Sequence, residues 1–474
     1  MLDINLIREK KDWVKAQIEK LNDPEALPRV DAIYALDQER RAILQQVEAL
    51  KASRNRLNKA YGPFRGNKKL DDATRIATAA EIMAALEAGD YERALALFST
   101  PVASTDLATP PDLNAAFELL QDTLGGLGRR AAELDEKVRA IDAELQEHML
   151  WLPNLPHDSV PVGQSDEDNI PHDVHGTIPS FDFEPKAHWD LGPALGIIDF
   201  ERGVKLAGTR FYLLAGAGAR LHRALTNWML DYHHAHGRQE MYTPFMVKEE
   251  CMYGSAQFPK FRDVVYFDPE ADLYMLPTAE VSVTNMFRDE ILDEAELPLR
   301  YVAHTPCFRK EKMSAGRDVR GIKRVHQFEK VEQYSFTTPD QSYDELERIV
   351  EAAEELCALL GLPYRRLEIC TGDLGFSASK KYDVEVWAAG SQEWLEVSSC
   401  SNTEAFQARR ANIKYRPAEG GKAQFVHTLN GSGLALPRIV IAILENYQQT
   451  DGSVVIPEVL RPYMGGQEII TPEG

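Results

Sequence analysis

Apolar side chains recur at helical intervals along the first third of the chain. After a short amphipathic stretch from Leu2 to Leu21, residues 31–60 carry Ile33, Leu36, Ile43, Val47, Leu50 and Leu57 at alternating steps of three and four. Arg40 and Arg54 stand at the two missing seam positions. A second run is cleaner: Leu113, Phe117, Leu120, Leu124, Leu127, Ala131, Leu134, Val138, Ile141, Leu145 and Leu152 keep the same seam, with His148 at the one polar step. Two such runs with a break between them predict an antiparallel coiled-coil hairpin, and Pro153 and Pro156 end its second helix. At ~1.5 Å per residue the first helix reaches on the order of 40 Å. A hairpin of that length cannot bury both flanks, so it is expected to project as an arm; periodicity alone fits a dimerisation coil equally well. Between Tyr61 and Pro111 the seam is interrupted by helical patterns from Asp72 to Ala88 and Asp90 to Phe98, then a loop with Pro101, Pro110 and Pro111. These predict a small helical knob inserted at the tip.

Beyond Pro153 the pattern changes. A Pro/His/Asp-rich connector leads to a strand from Thr209 to Leu214, an amphipathic helix from Ala219 to His236, and a second strand ending at Pro244. Further apolar-polar runs, Tyr301 to Phe308 and Val325 to Phe336, read as two antiparallel strands. The chain thus divides into an arm over 1–155, with its insertion at about 61–111, and a sheet-bearing domain over 156–474. The expected class is α+β.

Composition narrows the function. The 474 residues are 44% hydrophobic and 27% charged, as in an ordinary globular protein, and too many for one compact core. Five scattered cysteines form no CxxC pair, which argues for a reducing cytoplasm and against a structural zinc site. The N-terminal segment becomes charged too soon for a secretion signal, and no run is apolar for the roughly 18 residues that a bilayer requires. A net charge of −21 excludes wholesale coating of nucleic acid, so any RNA must meet a local basic surface. Residues 51–70 supply one: seven Lys/Arg, among them Lys51, Arg54, Arg56 and Lys59, and no acid. A solvated helix face is the plainer explanation of such a run.

The chemistry concentrates between Phe308 and Glu332. Arg309, Lys310, Lys312, Arg317, Arg320, Lys323 and Arg324, broken by Gly316 and Gly321, form a basic loop hung between two strands. Arginine grips phosphate and carboxylate through a planar fork, so this spacing fits a nucleotide or nucleic-acid loop. The order of residues is more specific. Phe308-Arg309-Lys310-Glu311, Gly316-Arg317-Asp318, Arg320-Gly321, then Val325-His326-Gln327-Phe328 and Glu332 closely resemble motif 2 of class II aminoacyl-tRNA synthetases, in the version of the seryl-tRNA synthetases. The helix, strand and proline ending at Pro244 resemble motif 1, the dimer-forming element of that class. Thr428 to Arg438, with Gly431-Ser432-Gly433 and Arg438 in the first turn of an apolar helix, resembles motif 3. Cys370 to Gly375 and Tyr382 to Trp387 match family strings for strands crossing the sheet.

That resemblance implies a homodimeric ligase with an antiparallel catalytic sheet flanked by helices. It implies ATP and Mg²⁺ as cofactors, and L-serine and tRNA(Ser) as substrates, with tRNA(Sec) left open as a second acceptor. The catalytic set is Arg309, Glu311 and Arg438. Arg309 should bridge the serine carboxylate and the α-phosphate, Glu311 should accept from the adenine amino group, Phe328 should stack on the ring, and Arg438 should cover its other face. Arg317 falls to the outer phosphates or the tRNA acceptor end. Lys310, Val325, Val397 and Ser398 complete the ATP set, and Glu396 and Ser399 offer the hard oxygens that Mg²⁺ prefers. Thr278, Ala279, Glu280, Glu332 and Ser432 form the serine set. Placed on a strand, Thr278 and Glu280 would share a face, whereas a helix N-cap is the plainer explanation of the same triplet. The family's arm grips the long variable arm of its tRNA, which gives Lys51, Arg54, Arg56 and Lys59 a role. Two rival functions are a ligase loading an amino acid on a carrier protein, against which the long arm counts, and a non-catalytic paralogue, against which the intact site residues count.

Overall fold

The computed structural model describes residues 1–103, 112–312 and 320–472. It forms two compact units, one of residues 31–149 and one of residues 1–30 with 150–474.

The first of these holds most of two long helices, α2 (Ala26–Arg65) and α5 (Leu113–Trp151). Their seams meet as the heptads require: Ile43 and Val47 are buried with Val138 and Ile141. Arg40, at a seam position, pairs with Asp142 across the hairpin. The inserted knob is two helices, α3 (Asp72–Glu87) and α4 (Tyr91–Ser99), begun by Asp71 and Asp90, whose carboxylates accept from backbone N–H groups of the first turn. Ile82, Ala85 and Ala94 share a cluster with Leu57, Phe64, Phe117 and Leu120, so the knob completes the core where the hairpin seam alone would stay half open.

The larger unit is built on one eight-stranded sheet. Its strands in chain order are β1 (Ile170–His175), β2 (Gln239–Met241), β3 (Leu299–Phe308), β4 (Gln327–Thr337), β5 (Tyr364–Glu368), β6 (Lys380–Ala388), β7 (Glu393–Asn402) and β8 (His427–Ala435). In space they run β1-β5-β6-β7-β8-β4-β3-β2. Every pairing is antiparallel except β2 with β3. Helices α6 (Gly216–Ala235), α7 (Ser342–Leu359) and α8 (Leu436–Asn446) bury Leu225, Met229, Ile349, Val350, Ile439 and Ile443 with Val384, Val386 and Leu429 of the sheet. The motif 3 glycines serve this packing. A Cβ on Gly431 would stand 2.3 Å from Ile349 Cγ2, and one on Gly433 2.3 Å from His233 Nε2. Both face the helices, and Ser432 between them faces the other way.

Helix α1 (Ile4–Glu19) buries Ile7, Val14 and Ile18, and the Met1 ammonium donates to the Phe406 carbonyl, which ties residues 1–30 to this unit. Two expected strands are corrected. Thr209 to Leu214 pairs only at Leu213–Leu214, and Cys370 to Gly375 is a single 3₁₀ turn, Thr371–Asp373. Among the described residues no helix is long and apolar enough to cross a membrane.

Candidate active site

On the sheet face away from α6 and α7 lies a cavity of about 320 Å³. Strand alternation supplies most of its floor. Phe328, Lys330 and Glu332 follow one another at every second position of β4, as do Asn430 and Ser432 of β8, and Val397, Ser399 and Ser401 of β7. Glu332 and Ser432 are directly opposed across β4 and β8.

Glu396 breaks the alternation, yet its side chain reaches the same cavity. The register of β6 against β7 shifts there: Val384 faces Ser398, the next residue Glu385 faces Glu396, and Val397 is left over. This β-bulge turns Glu396 onto the face of Ser399. Glu396 is 46% exposed at the cleft, with Arg438 Nη1 bonded to its carbonyl at 2.6 Å and 3.5 Å from its carboxylate. Burial raises its pKa, but Arg438, Lys381, Arg309 and Arg324 together hold the carboxyl below its ordinary range.

The basic wall comes from the strand ends. Arg309 follows β3, with its Nε donating to the Pro277 carbonyl at 3.3 Å and its guanidinium 5.2 Å from the Phe328 ring centroid. Glu311 enters the cavity from a left-handed backbone, φ +46°, a conformation uncommon for a non-glycine residue. Lys323, Arg324 and Val325 line the returning limb, and Arg438 comes from the first turn of α8.

The inner end is a buried polar cluster: Thr278, Glu280, Lys330, Glu332 and Ser432 are each 9% exposed or less. Lys330 pairs with Glu332. Glu280 accepts from Gln407 Nε2 at 2.5 Å. Burial, then the negative charge of Glu332, pushes the Glu280 carboxyl up to about 7, against the pull of Gln407, Lys330 and Asn430. With two carboxylates and only the Lys330 ammonium between them, the cluster favours a ligand that brings a second cation.

The cavity unites Thr278, Glu280, Arg309, Glu311, Val325, Phe328, Glu332, Glu396, Val397, Ser399, Ser432 and Arg438 of the expected residues. Three others stand elsewhere. Ala279 is fully buried in an apolar cluster with Val283, Tyr334 and Phe336. Lys310 donates from its backbone N–H to the Val264 carbonyl and lays its ammonium 5.6 Å from the Tyr266 ring centroid. Ser398 falls on the opposite face of β7, where its hydroxyl donates to the Ser432 carbonyl at 2.6 Å. The strand geometry expected for Thr278 and Glu280 is also corrected. Glu280 opens a one-turn helix, Glu280–Thr284, whose N-cap is Ala279 rather than Thr278; Thr278 stands one residue earlier, and its Oγ1 accepts the Glu280 N–H at 3.4 Å. Arg317 lies outside the described residues. Lys330, Asn430 and Ser401 were missed, although period two from Phe328, Ser432 and Ser399 would have found them; Gln257 carries no local signal.

In the arm, Lys51 pairs with Asp135 at 2.8 Å, and Arg56 makes a two-pronged contact with Glu92 at 2.6 and 2.9 Å. Arg54 lies against Gly128, and Lys59 is exposed.

An antiparallel sheet carrying one arginine after an inner strand and another at the start of the following apolar helix, both turned into one cleft, defines a class II aminoacyl-tRNA synthetase. Residues 263–447 match the class II tRNA synthetase core domain (G, H, P, S and T), and residues 1–95 the seryl-tRNA synthetase N-terminal domain. A serine–tRNA ligase of Roseiflexus sp. (strain RS-1) is 56% identical over 99% of both chains. The crystal structure of seryl-tRNA synthetase from Pyrococcus horikoshii complexed with ATP aligns with all of both chains at 36% identity and a TM-score of 0.83. The cytoplasmic serine–tRNA ligase of Naegleria fowleri, solved with AMP, covers 100% of this chain and 99% of its own at 28% identity and a TM-score of 0.80. The chain belongs to the seryl-tRNA synthetase family.

Proposed function

We propose that this serine–tRNA ligase joins L-serine to ATP in the cavity of Arg309 and Arg438, then passes the seryl group to the terminal ribose of tRNA(Ser). In the first step a serine carboxylate oxygen bonds to the α-phosphorus while the bond to the β-phosphate oxygen breaks, releasing pyrophosphate. Arg309 holds carboxylate and α-phosphate together; Arg438, Lys323 and Arg324 take the charge of the outer phosphates. This is catalysis by positioning and charge. Phe328, Val325 and Glu311 take the adenine. Glu280 and Glu332 take the serine ammonium and hydroxyl with Thr278 and Ser432. Buried acceptors of this kind disfavour alanine by ~10⁴ or more.

The observation that carries this reading is the convergence of two arginines and a buried carboxylate pair on one cavity. Mg²⁺ fits the Glu396 carboxylate and Ser399 hydroxyl, which the β7 bulge puts on one face; it would add charge neutralisation at the phosphates. No enzyme nucleophile is needed, and burial pushes the thiols of Cys307 and Cys400 up, away from thiolate.

We further assign tRNA binding to the arm, a cytoplasmic setting, and a homodimer formed through the segment from α6 to Pro244, where Tyr242 is 86% exposed. Serine-dependent ATP–pyrophosphate exchange followed by charging of tRNA(Ser) tests the sequence of steps, and light scattering the dimer. Exchange that is independent of serine would refute the assignment.

A further inference from the structure

His188 is 2% exposed and plays no part in the chemistry above. Its Nδ1 lies 2.8 Å from Glu445 Oε1, and its backbone N–H donates to the same oxygen at 2.9 Å. Glu445 Oε2 accepts from the Ser391 N–H and hydroxyl, each at 2.8 Å. A carboxylate can only accept, so Glu445 fixes the imidazole proton on Nδ1 and leaves Nε2 as an acceptor. Nε2 takes the Ile322 N–H at 3.1 Å.

The neighbouring residues fit this contact closely. Gly321 has φ +73°, and a Cβ there would stand 1.9 Å from Nε2, so only glycine lets the backbone pass. The Arg320 guanidinium lies 5.0 Å from the centroid of Trp189, the residue after His188. The chain then runs directly into Lys323, Arg324 and Val325, which line the cavity. Glu445 lies about two turns beyond Arg438 on α8.

We propose that His188 is a positioning residue that ties the helix carrying Arg438 to the limb carrying Lys323 to Val325, holding two walls of the nucleotide cavity in register. The tie is a matter of packing; that it serves ATP rests on the function proposed above. Two substitutions separate its contacts. In His188→Asn the amide nitrogen replaces Nδ1 and the acceptor for Ile322 is lost; in His188→Gln the amide oxygen reaches the position of Nε2 and keeps that acceptor, and although the Nδ1 donor is gone, the backbone N–H of residue 188 still holds Glu445. The expected result for His188→Asn is an ATP KM raised about tenfold, from one buried donor left unpaired, with the serine KM unmoved. Tryptic cleavage after Arg320, Lys323 and Arg324, mapped by mass spectrometry on the free enzyme, should accelerate by a similar factor. His188→Gln should retain most of both properties. Gly321→Ala, which pushes the limb off an intact imidazole, should reproduce the asparagine variant and serves if that variant misfolds. Equal damage from the Asn and Gln variants, or a lower kcat with ATP KM and cleavage rates unchanged, overturns the proposal. If the wild type shows no serine-dependent exchange, the functional reading fails instead, while the cleavage comparison, which needs no ATP, still decides the role of His188.

Discussion

Glu280→Gln should make the folded protein more stable and the enzyme worse. The carboxyl is pushed from its ordinary value near 4.5 up to about 7 by burial and by Glu332. The native state therefore keeps a proton that the unfolded chain has released, and stability falls as pH rises from about 4.5 to 7, then stays level. Each pH unit of that interval is worth about 1.4 kcal/mol, so an ionised Glu280 costs the empty enzyme on the order of 3 kcal/mol. The side chain is 7% exposed, so solvent screens little of this. Glutamine keeps the size and retains a carbonyl for Gln407, and it removes the charge. Scanning calorimetry should show the variant melting some degrees above wild type at pH 8, with most of that margin gone at pH 5. Bound serine reverses the balance, because its ammonium is the partner that the carboxylate lacks. Serine affinity of the wild type should therefore weaken by about tenfold per pH unit below 7, and this slope should vanish in the variant along with most of its affinity. An equal melting difference at both pH values, or an unchanged serine KM, would refute this account of the site.

Arg309→Ala should reduce the rate of adenylate formation by roughly 10²–10³, measured by pyrophosphate exchange at saturating serine and ATP, with little change in melting temperature. Ser399→Ala should raise the Mg²⁺ concentration for half-maximal exchange by about tenfold or more, whereas Ser398→Ala, on the opposite face of β7, should leave that requirement unmoved. Gly433→Ala, whose new methyl group would press on His233, should destabilise the fold by about 1–3 kcal/mol in denaturant titration, and a charging defect without any loss of stability would contradict the packing role given to this glycine.

The coiled-coil helices were legible because a repeat of three and four needs no knowledge of its partner: burying one stripe dictates each helix, whereas their pairing within one chain, rather than between two copies, was decided by the tertiary structure. The knob helices were legible for the same reason, and the order of residues from Arg309 to Glu332 pointed to the site before any fold was drawn. Alternation along β4, β7 and β8 would have added Lys330, Asn430 and Ser401 and removed Ser398, since a strand shows only every second residue to one face. Glu396 could not be read that way, because its direction depends on a register shift against β6, a property of two strands. The one-turn helix that turns Glu280 inward is likewise set by its surroundings, with Gln407 reaching its carboxylate from a distant segment. Local periodicity, propensity and residue order were thus written in the chain itself. Which polar groups became buried beside one another, and hence the raised pKa of Glu280 and the hold of His188 on two walls, was decided only when distant segments closed together, because burial and Coulomb energy depend on distance in space.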